Sequence, residues 1–319
     1  MSRVHLALLA ALVAALIGMV AVMVRASTGG DGPRPAAEAA VEEAAPATAE
    51  PATTATGSAA TESAAATAPE AAATTGDGER LVLPRPLPDR TLDVPILMYH
   101  RIARPSAGAG AYERDLTVGP RDFARQMAWL ADAGYASITQ RQLFAALMEG
   151  APLPERPVLI TFDDGYREIA ETAAPIMARH GLTGTAYVIT DRILADPAAA
   201  PLWMTEDQLR DLAAAGWDIG SHTVTHQELT LVDEATALRE LRASRFRLER
   251  ILGRPVQWFC YPVGEYDTAS EGLVRRAGYV LAVTTDEGTL QRADQPLLLQ
   301  RVRVSDDTGV AGLRARLGG

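Results

Sequence analysis

Two aspartates stand side by side at Asp163 and Asp164, and two histidines stand four apart at His222 and His226. These residue types suit metal-assisted hydrolysis. Two imidazoles at that spacing can point the same way and hold one metal through neutral nitrogens, with a carboxylate as third ligand. Three protein ligands leave a position open for water, whose pKa an open metal brings near neutrality. Adjacent aspartates on extended backbone point to different sides, so one can hold metal while the other stays free as a base. Tyr261-Pro262-Val263-Gly264 and His100 complete the set. Each piece alone has an ordinary reading as a turn, a surface pair, a loop or a packed imidazole. Their shared position at the ends of strands argues for a site.

From Val94 onward, short apolar runs alternate with amphipathic helical stretches. Strands are expected at 95–100, 157–162, 185–190, 217–220, 256–260, 279–284 and 298–304. Helices are expected at 121–133, 168–179, 205–215, 233–252 and 270–277. Strands alternating with helices imply a parallel sheet. Some seven units in about 225 residues imply a barrel closed on itself, with its chemistry at the C-terminal strand ends. His100 ends the first strand, Asp163 and Asp164 the second, and His222 and the Tyr261 turn follow two others.

Composition narrows the field. The net charge is −10 and every one of the 30 basic residues is Arg, so nucleic acid is not an expected partner. A single Cys, Cys260, excludes an internal disulfide framework and a Cys-rich zinc site. Imidazole ligands must come from only five His.

The N-terminus reads as a targeting segment. Leu6 to Val24 is an unbroken apolar run of nineteen residues flanked by Arg3 and Arg25, long enough to span a bilayer core. Residues 1–25 are expected to be a signal anchor, or alternatively a cleaved signal peptide. The rest of the chain is then expected on the extracytoplasmic face of the membrane, or secreted or periplasmic. Residues 26–80 hold 20 Ala, 9 Thr and 7 Glu with one Val and no Leu, Ile, Met or aromatic. Such a segment cannot bury enough apolar surface to offset its ordering entropy. A disordered tether over 26–88 is expected, with the folded domain at 89–319.

The motifs resemble the polysaccharide deacetylases, the NodB-homology domain of carbohydrate esterase family four, and most closely the poly-N-acetylglucosamine deacetylase-like subgroup. The resemblance covers about residues 92–305. Thr161-Phe162-Asp163-Asp164-Gly165-Tyr166 is similar to the family's first motif, and Ser221-His222-Thr223-Val224-Thr225-His226 to its second. Phe259-Cys260-Tyr261-Pro262-Val263-Gly264 is similar to the third. The resemblance implies a distorted (β/α)7 barrel, with Asp163 as catalytic base and Asp164, His222 and His226 as ligands of one divalent metal. Zinc is expected, with nickel, cobalt or iron as alternatives. It also implies that the Val263 N–H serves the oxyanion site and that Tyr261, Pro262 and Tyr166 contact substrate.

The chain departs from the family pattern in several places. Cys260 stands where many members carry an Arg that pairs with the catalytic Asp. Arg301 or Arg303 on the last strand is expected to replace it, Arg301 being favoured. Val263 replaces a Tyr. There is no convincing Asp-x-x-Asp-Trp, no C-terminal Leu-x-His, and no His after His226. In the subgroup, the first strand supplies the general acid, here His100. The expected activity is removal of N-acetyl groups from an N-acetylglucosamine-containing extracellular or cell-wall polysaccharide. The alternatives are a deacetylase or esterase acting on peptidoglycan or O-acetyl glycans, and an inactive glycan-binding module.

Overall fold

The computed structural model describes residues 79–318 apart from 107 and 195–201. Seven strands form the centre: β1 (Ile96–Tyr99), β2 (Pro157–Phe162), β3 (Thr185–Val188), β4 (Asp218–Ser221), β5 (Trp258–Cys260), β6 (Leu281–Glu287) and β7 (Leu299–Arg303). Each pairs in parallel with the next in sequence, and β7 pairs with β1, closing the ring. The expected (β/α)7 barrel is thus the observed architecture.

Side chains alternate across the barrel wall, as the two-residue period of a strand requires. On β1, Leu97 and Tyr99 face outward and pack with Phe123, Met127 and Phe162. Ile96 faces the other way, clustering with Leu159, Tyr187, Cys260 and Val283. Both faces are covered, which is why the strands read as continuous apolar runs.

The principal outer helices are α1 (Pro120–Asp132), α2 (Gln140–Glu149), α3 (Ala174–Ala178), α4 (Glu206–Ala214), α5 (Glu234–Leu252), α6 (Thr268–Arg276) and α7 (Gly309–Arg316). Their ends are written locally. Thr205 and Gln208 form a reciprocal capping box on α4. Asp233 caps α5, and Gly253 ends it at φ 66. α2 was not expected, although Thr139 and Gln142 make the same box at its start. The helix expected over 168–179 is a π-helical turn at Ile169–Ala173 followed by α3.

The domain begins before the expected boundary at 89. Leu81, Leu83 and Leu87 pack against the core, and the Gln257 amide accepts from Leu81 N at 2.6 Å and donates to Leu81 O at 2.8 Å. Three leucines in seven residues supply the apolar surface that the preceding stretch lacks. Residues 1–25, and the tether up to 78, lie outside the described residues. Among the described residues, no helix is long and apolar enough to cross a membrane.

Candidate metal centre and catalytic site

The C-terminal ends of β2 and β4 deliver the two motifs to one place. Asp163 N donates to Tyr99 O, and His222 N donates to Val188 O, so each motif leaves its strand still bonded to a neighbour. The chain then turns sharply. Asp164, Thr223, His226 and Val263 are the non-glycine residues with positive φ among those described, at 73°, 63°, 67° and 53°. All four lie in the motif loops, where the surrounding fold must hold a locally unfavourable backbone. Gly165 follows at φ 87, where a Cβ would lie 2.9 Å from Val188 Cγ1.

Asp164, His222 and His226 converge. Asp164 Oδ1 lies 3.7 Å from each histidine Nε2, and the two Nε2 atoms are 3.1 Å apart. A divalent ion about 2.0–2.2 Å from each ligand sets ligand atoms roughly 3.0–3.5 Å apart, which this cluster approaches. The tautomer fits as well. His222 Nδ1 lies 2.8 Å from Cys260 O, an acceptor only, so Nδ1 carries the proton and Nε2 is left with a free lone pair. Burial pushes the His222 imidazole down to about 3 and lowers that of His226 too, keeping both in the neutral, ligating form. Burial, and next the charge of Asp163, push the Asp164 carboxyl up to about 7, a cost that a bound cation would relieve. Asp163, His222 and Cys260 form a second convergent group among the described residues. It is the poorer candidate. Asp163 is already paired with an arginine, and burial holds the Cys260 thiol well above its usual pKa and hence protonated.

Arg301 makes that pair. Its two terminal nitrogens donate to Asp163 Oδ1 and Oδ2, each at 2.8 Å. Its Nε donates to Thr284 O at 2.7 Å, and Nη1 to Thr161 Oγ1 at 3.2 Å. Arg301 is 1% exposed. Burial alone would raise the Asp163 pKa; the guanidinium outweighs it and holds the carboxyl well below the usual range. Arg303 points elsewhere, to Asp115. Cys260 fits beside the pair, with Sγ 3.6 Å from Asp163 Oδ2 and 3.3 Å from Arg301 Nη2.

His100 follows β1, with Nε2 3.8 Å from Asp163 Oδ2. Burial pushes its imidazole down to about 4 against the pull of Asp163, so it rests neutral. His180 sits in the turn after α3, where its backbone N–H donates to Met177 O.

The expected substrate contacts divide. The Tyr261 and Pro262 side chains are buried, with Tyr261 edge-on to Phe259, so both are core groups rather than a sugar-facing surface. Val263, directly after them, is 47% exposed. Tyr166 is partly exposed and stacks on Trp203 at 4.6 Å. Sequence reasoning missed Glu240 on α5. Its carboxylate accepts from Val224 N at 2.8 Å, Thr225 N at 2.9 Å and Thr225 Oγ1 at 3.1 Å, bracing the loop between the two histidines. Nothing in an Arg/Glu-rich helix distinguishes that glutamate from its neighbours.

A closed parallel barrel with a ligand cluster beside an arginine-held carboxylate, all at the C-terminal strand ends, defines a barrel hydrolase. The polysaccharide deacetylase family profile matches residues 150–282. YxkH of Bacillus subtilis, assigned by name to the polysaccharide deacetylases, is 31% identical over 217 residues, 68% of this chain and 73% of its own length. A poly-beta-1,6-N-acetyl-D-glucosamine N-deacetylase of Staphylococcus aureus is 22% identical over 203 residues, 61% of this chain and 70% of its own. The structure of the Streptococcus pyogenes deacetylase PplD in complex with acetate superposes with a TM-score of 0.66 at 27% identity, covering 72% of this chain and 99% of that one. The chain belongs to the polysaccharide deacetylase family.

Proposed function

We propose that the protein removes N-acetyl groups from an N-acetylglucosamine-containing extracellular or cell-wall polysaccharide, on the extracytoplasmic side of a membrane reached through residues 1–25. The observation that carries this reading is the juxtaposition of two carboxylates in opposite states. Asp163 is held ionised by Arg301, while Asp164 converges with two neutral imidazoles. A carboxylate kept ionised, and so free to accept a proton, beside a three-ligand cluster is the arrangement that amide hydrolysis by water uses.

Asp164, His222 and His226 would hold one divalent ion, zinc by ligand type, supplying Lewis acidity toward water and the acetamide carbonyl. Asp163 Oδ2 accepts the proton that the attacking water sheds. That proton passes to His100 Nε2, which stands 3.8 Å from Oδ2. His100 Nε2 then donates it to the leaving nitrogen as the carbon–nitrogen bond breaks, giving acetate and an amine; without this step the leaving group would be an amide anion. Arg301 keeps Asp163 oriented throughout. The Val263 N–H, in the tight turn after Cys260, is assigned to the carbonyl oxygen as its charge builds.

Acetate release from N-acetylated glycans by the zinc-loaded protein tests the reading. Asp163→Asn is expected to keep metal and lose most turnover, because an amide cannot accept the proton. Metal loss in that variant, with retention in Asp164→Asn, would reverse the two roles. Full-length protein should remain with membranes after high-salt washing, since apolar burial is not screened by salt.

A further inference from the structure

Beside the metal cluster stands a four-tier stack. Arg101 lies over the Tyr166 ring at 4.9 Å, Tyr166 stacks on Trp203 at 4.6 Å, and Arg192 covers Trp203 at 4.3 Å. The ring planes of Tyr166 and Trp203 differ by 21°. Such aromatics near a glycan site suggest a sugar-stacking platform. Here the faces are taken: Tyr166 lies between Arg101 and Trp203, and Trp203 between Tyr166 and Arg192. What the stack presents is charge.

The two arginines differ. Arg101 Nε is paired with Glu168 Oε1 at 2.8 Å. Among the described residues, no carboxylate or carbonyl is bonded to the Arg192 guanidinium. Its position is nonetheless built. Arg192 ends the short turn Thr190–Arg192, whose backbone is stitched to both metal loops. Ile189 N donates to Asp164 O at 3.3 Å, Thr190 N to Thr223 O at 3.1 Å, and Asp191 N to Val224 O at 2.9 Å. The ring beneath belongs to the same loop, because Tyr166 lies two residues after Asp164 and its backbone bridges to Trp203.

A cation held at this point would add to the positive field of a divalent ion in the cluster and repel it, and among the described residues no bonded carboxylate offsets its charge. If only a sugar hydroxyl had to be met, a neutral amide donor would serve. A fixed guanidinium is compensated when an anion arrives, and its planar fork matches carboxylate or phosphate oxygens.

We infer that Arg192 reads a negative charge on the glycan beside the reacting acetamide, so that the substrate is an anionic N-acetylated polysaccharide rather than a neutral one. The inference rests on the deacetylase reading above. The anion is a sugar-borne carboxylate, such as a lactyl ether or uronate, or a phosphodiester.

The test uses zinc-loaded full-length protein and three oligomers of equal length. These are neutral N-acetylglucosamine, a peptide-free strand with a lactyl carboxylate on alternate sugars, and a phosphodiester-bearing strand. The wild type is expected to favour one anionic oligomer over the neutral one by about tenfold or more in kcat/KM at low salt, less at high salt. Arg192→Gln should bring that ratio to about one, whereas Arg192→Lys, which keeps the charge, should retain part of it. The better of the two anionic oligomers identifies the charge. Equal kcat/KM on all three, or an undiminished ratio in Arg192→Gln, would overturn the inference. Calorimetric binding of the same oligomers to Asp163→Asn, with and without Arg192→Gln, separates this inference from the activity itself. Charge-selective binding that needs Arg192 supports the inference even where no acetate is released. Equal affinities overturn it even where acetate is released.

Discussion

Arg301 on the last barrel strand grips Asp163 after the second through two parallel bonds of 2.8 Å, across 138 positions of sequence. The strands β7 and β2 are not neighbours; β1 lies between them. The arginine therefore crosses the barrel interior, passing Thr161 and Cys260, to reach a carboxylate at the mouth. An arginine from the third motif would have entered from β5. Cys260 occupies that position with a small side chain, and the space it leaves is where Arg301 lies.

Removing this partner should be costly. Arg301→Ala leaves a buried carboxylate uncompensated, and a loss of roughly 3–5 kcal/mol in stability is expected by denaturant unfolding. The pH dependence has a definite sign. Asp163 has a folded pKa below its unfolded value, so its stabilisation is present above the ordinary carboxylate pKa and is lost as pH falls below it. The difference in stability between wild type and Arg301→Ala should therefore shrink toward strongly acidic pH. Arg301→Lys keeps the charge but not the two-point grip, and should retain more stability than turnover.

Metal uptake should also depend on pH. The Asp164 carboxyl stands at about 7 in the metal-free protein, so binding must displace its proton. Zinc affinity measured by competition with a chelator should rise with pH through about 7 and flatten above it. His222→Ala and His226→Ala should each lose metal and activity together. Full occupancy in the double variant would remove the basis for the ligand assignment.

His100→Ala should keep metal and fold while cutting turnover roughly 10²–10⁴-fold, the usual worth of a positioned proton donor. The loss should be smaller on activated aryl esters, whose leaving group needs no proton. Equal losses on amide and aryl ester would point to a packing role for the imidazole instead.

Glu240→Ala offers a test away from the ligands. Its carboxylate braces the backbone between the two histidines, so its loss should weaken zinc binding about 10–100-fold, as removal of an outer-shell partner does. Glu240→Gln keeps one acceptor and should lie between. Unchanged zinc affinity in Glu240→Ala would show that the strained loop holds itself.

The barrel and the ligand cluster were legible in the sequence because their causes are local. Buried strands must be apolar on both faces, as at 157–162 and 281–284, and the motif residues fall directly after such runs. Asp164, His222 and His226 carry their chemistry in type and spacing. The capping box at Thr139 was equally local, and α2 could have been read from it. Residues 81–87 read as part of the neighbouring tether because their three leucines are separated by two prolines, an arginine and a valine, with no helical or strand period.

Other features depended on distance in three dimensions. The sequence narrowed the partner of Asp163 to Arg301 or Arg303, but these lie two apart on one strand. They share one face of that strand, so only their depth in the closed barrel decided between them: Arg301 meets Asp163, whereas Arg303 reaches Asp115. Tyr261 was expected to contact substrate; its depth in the core depends on Phe259 and Tyr279 packing around it. Glu240 and Arg192 carry no signature, because what each does is set by a loop or ring brought beside it from elsewhere in the chain. Residue type and spacing therefore pointed to the deacetylase family and to the cluster of Asp164, His222 and His226. Long-range packing decided which charges are paired, which are buried and which remain open to a substrate, because burial and pairing are properties of neighbours that the chain order does not supply.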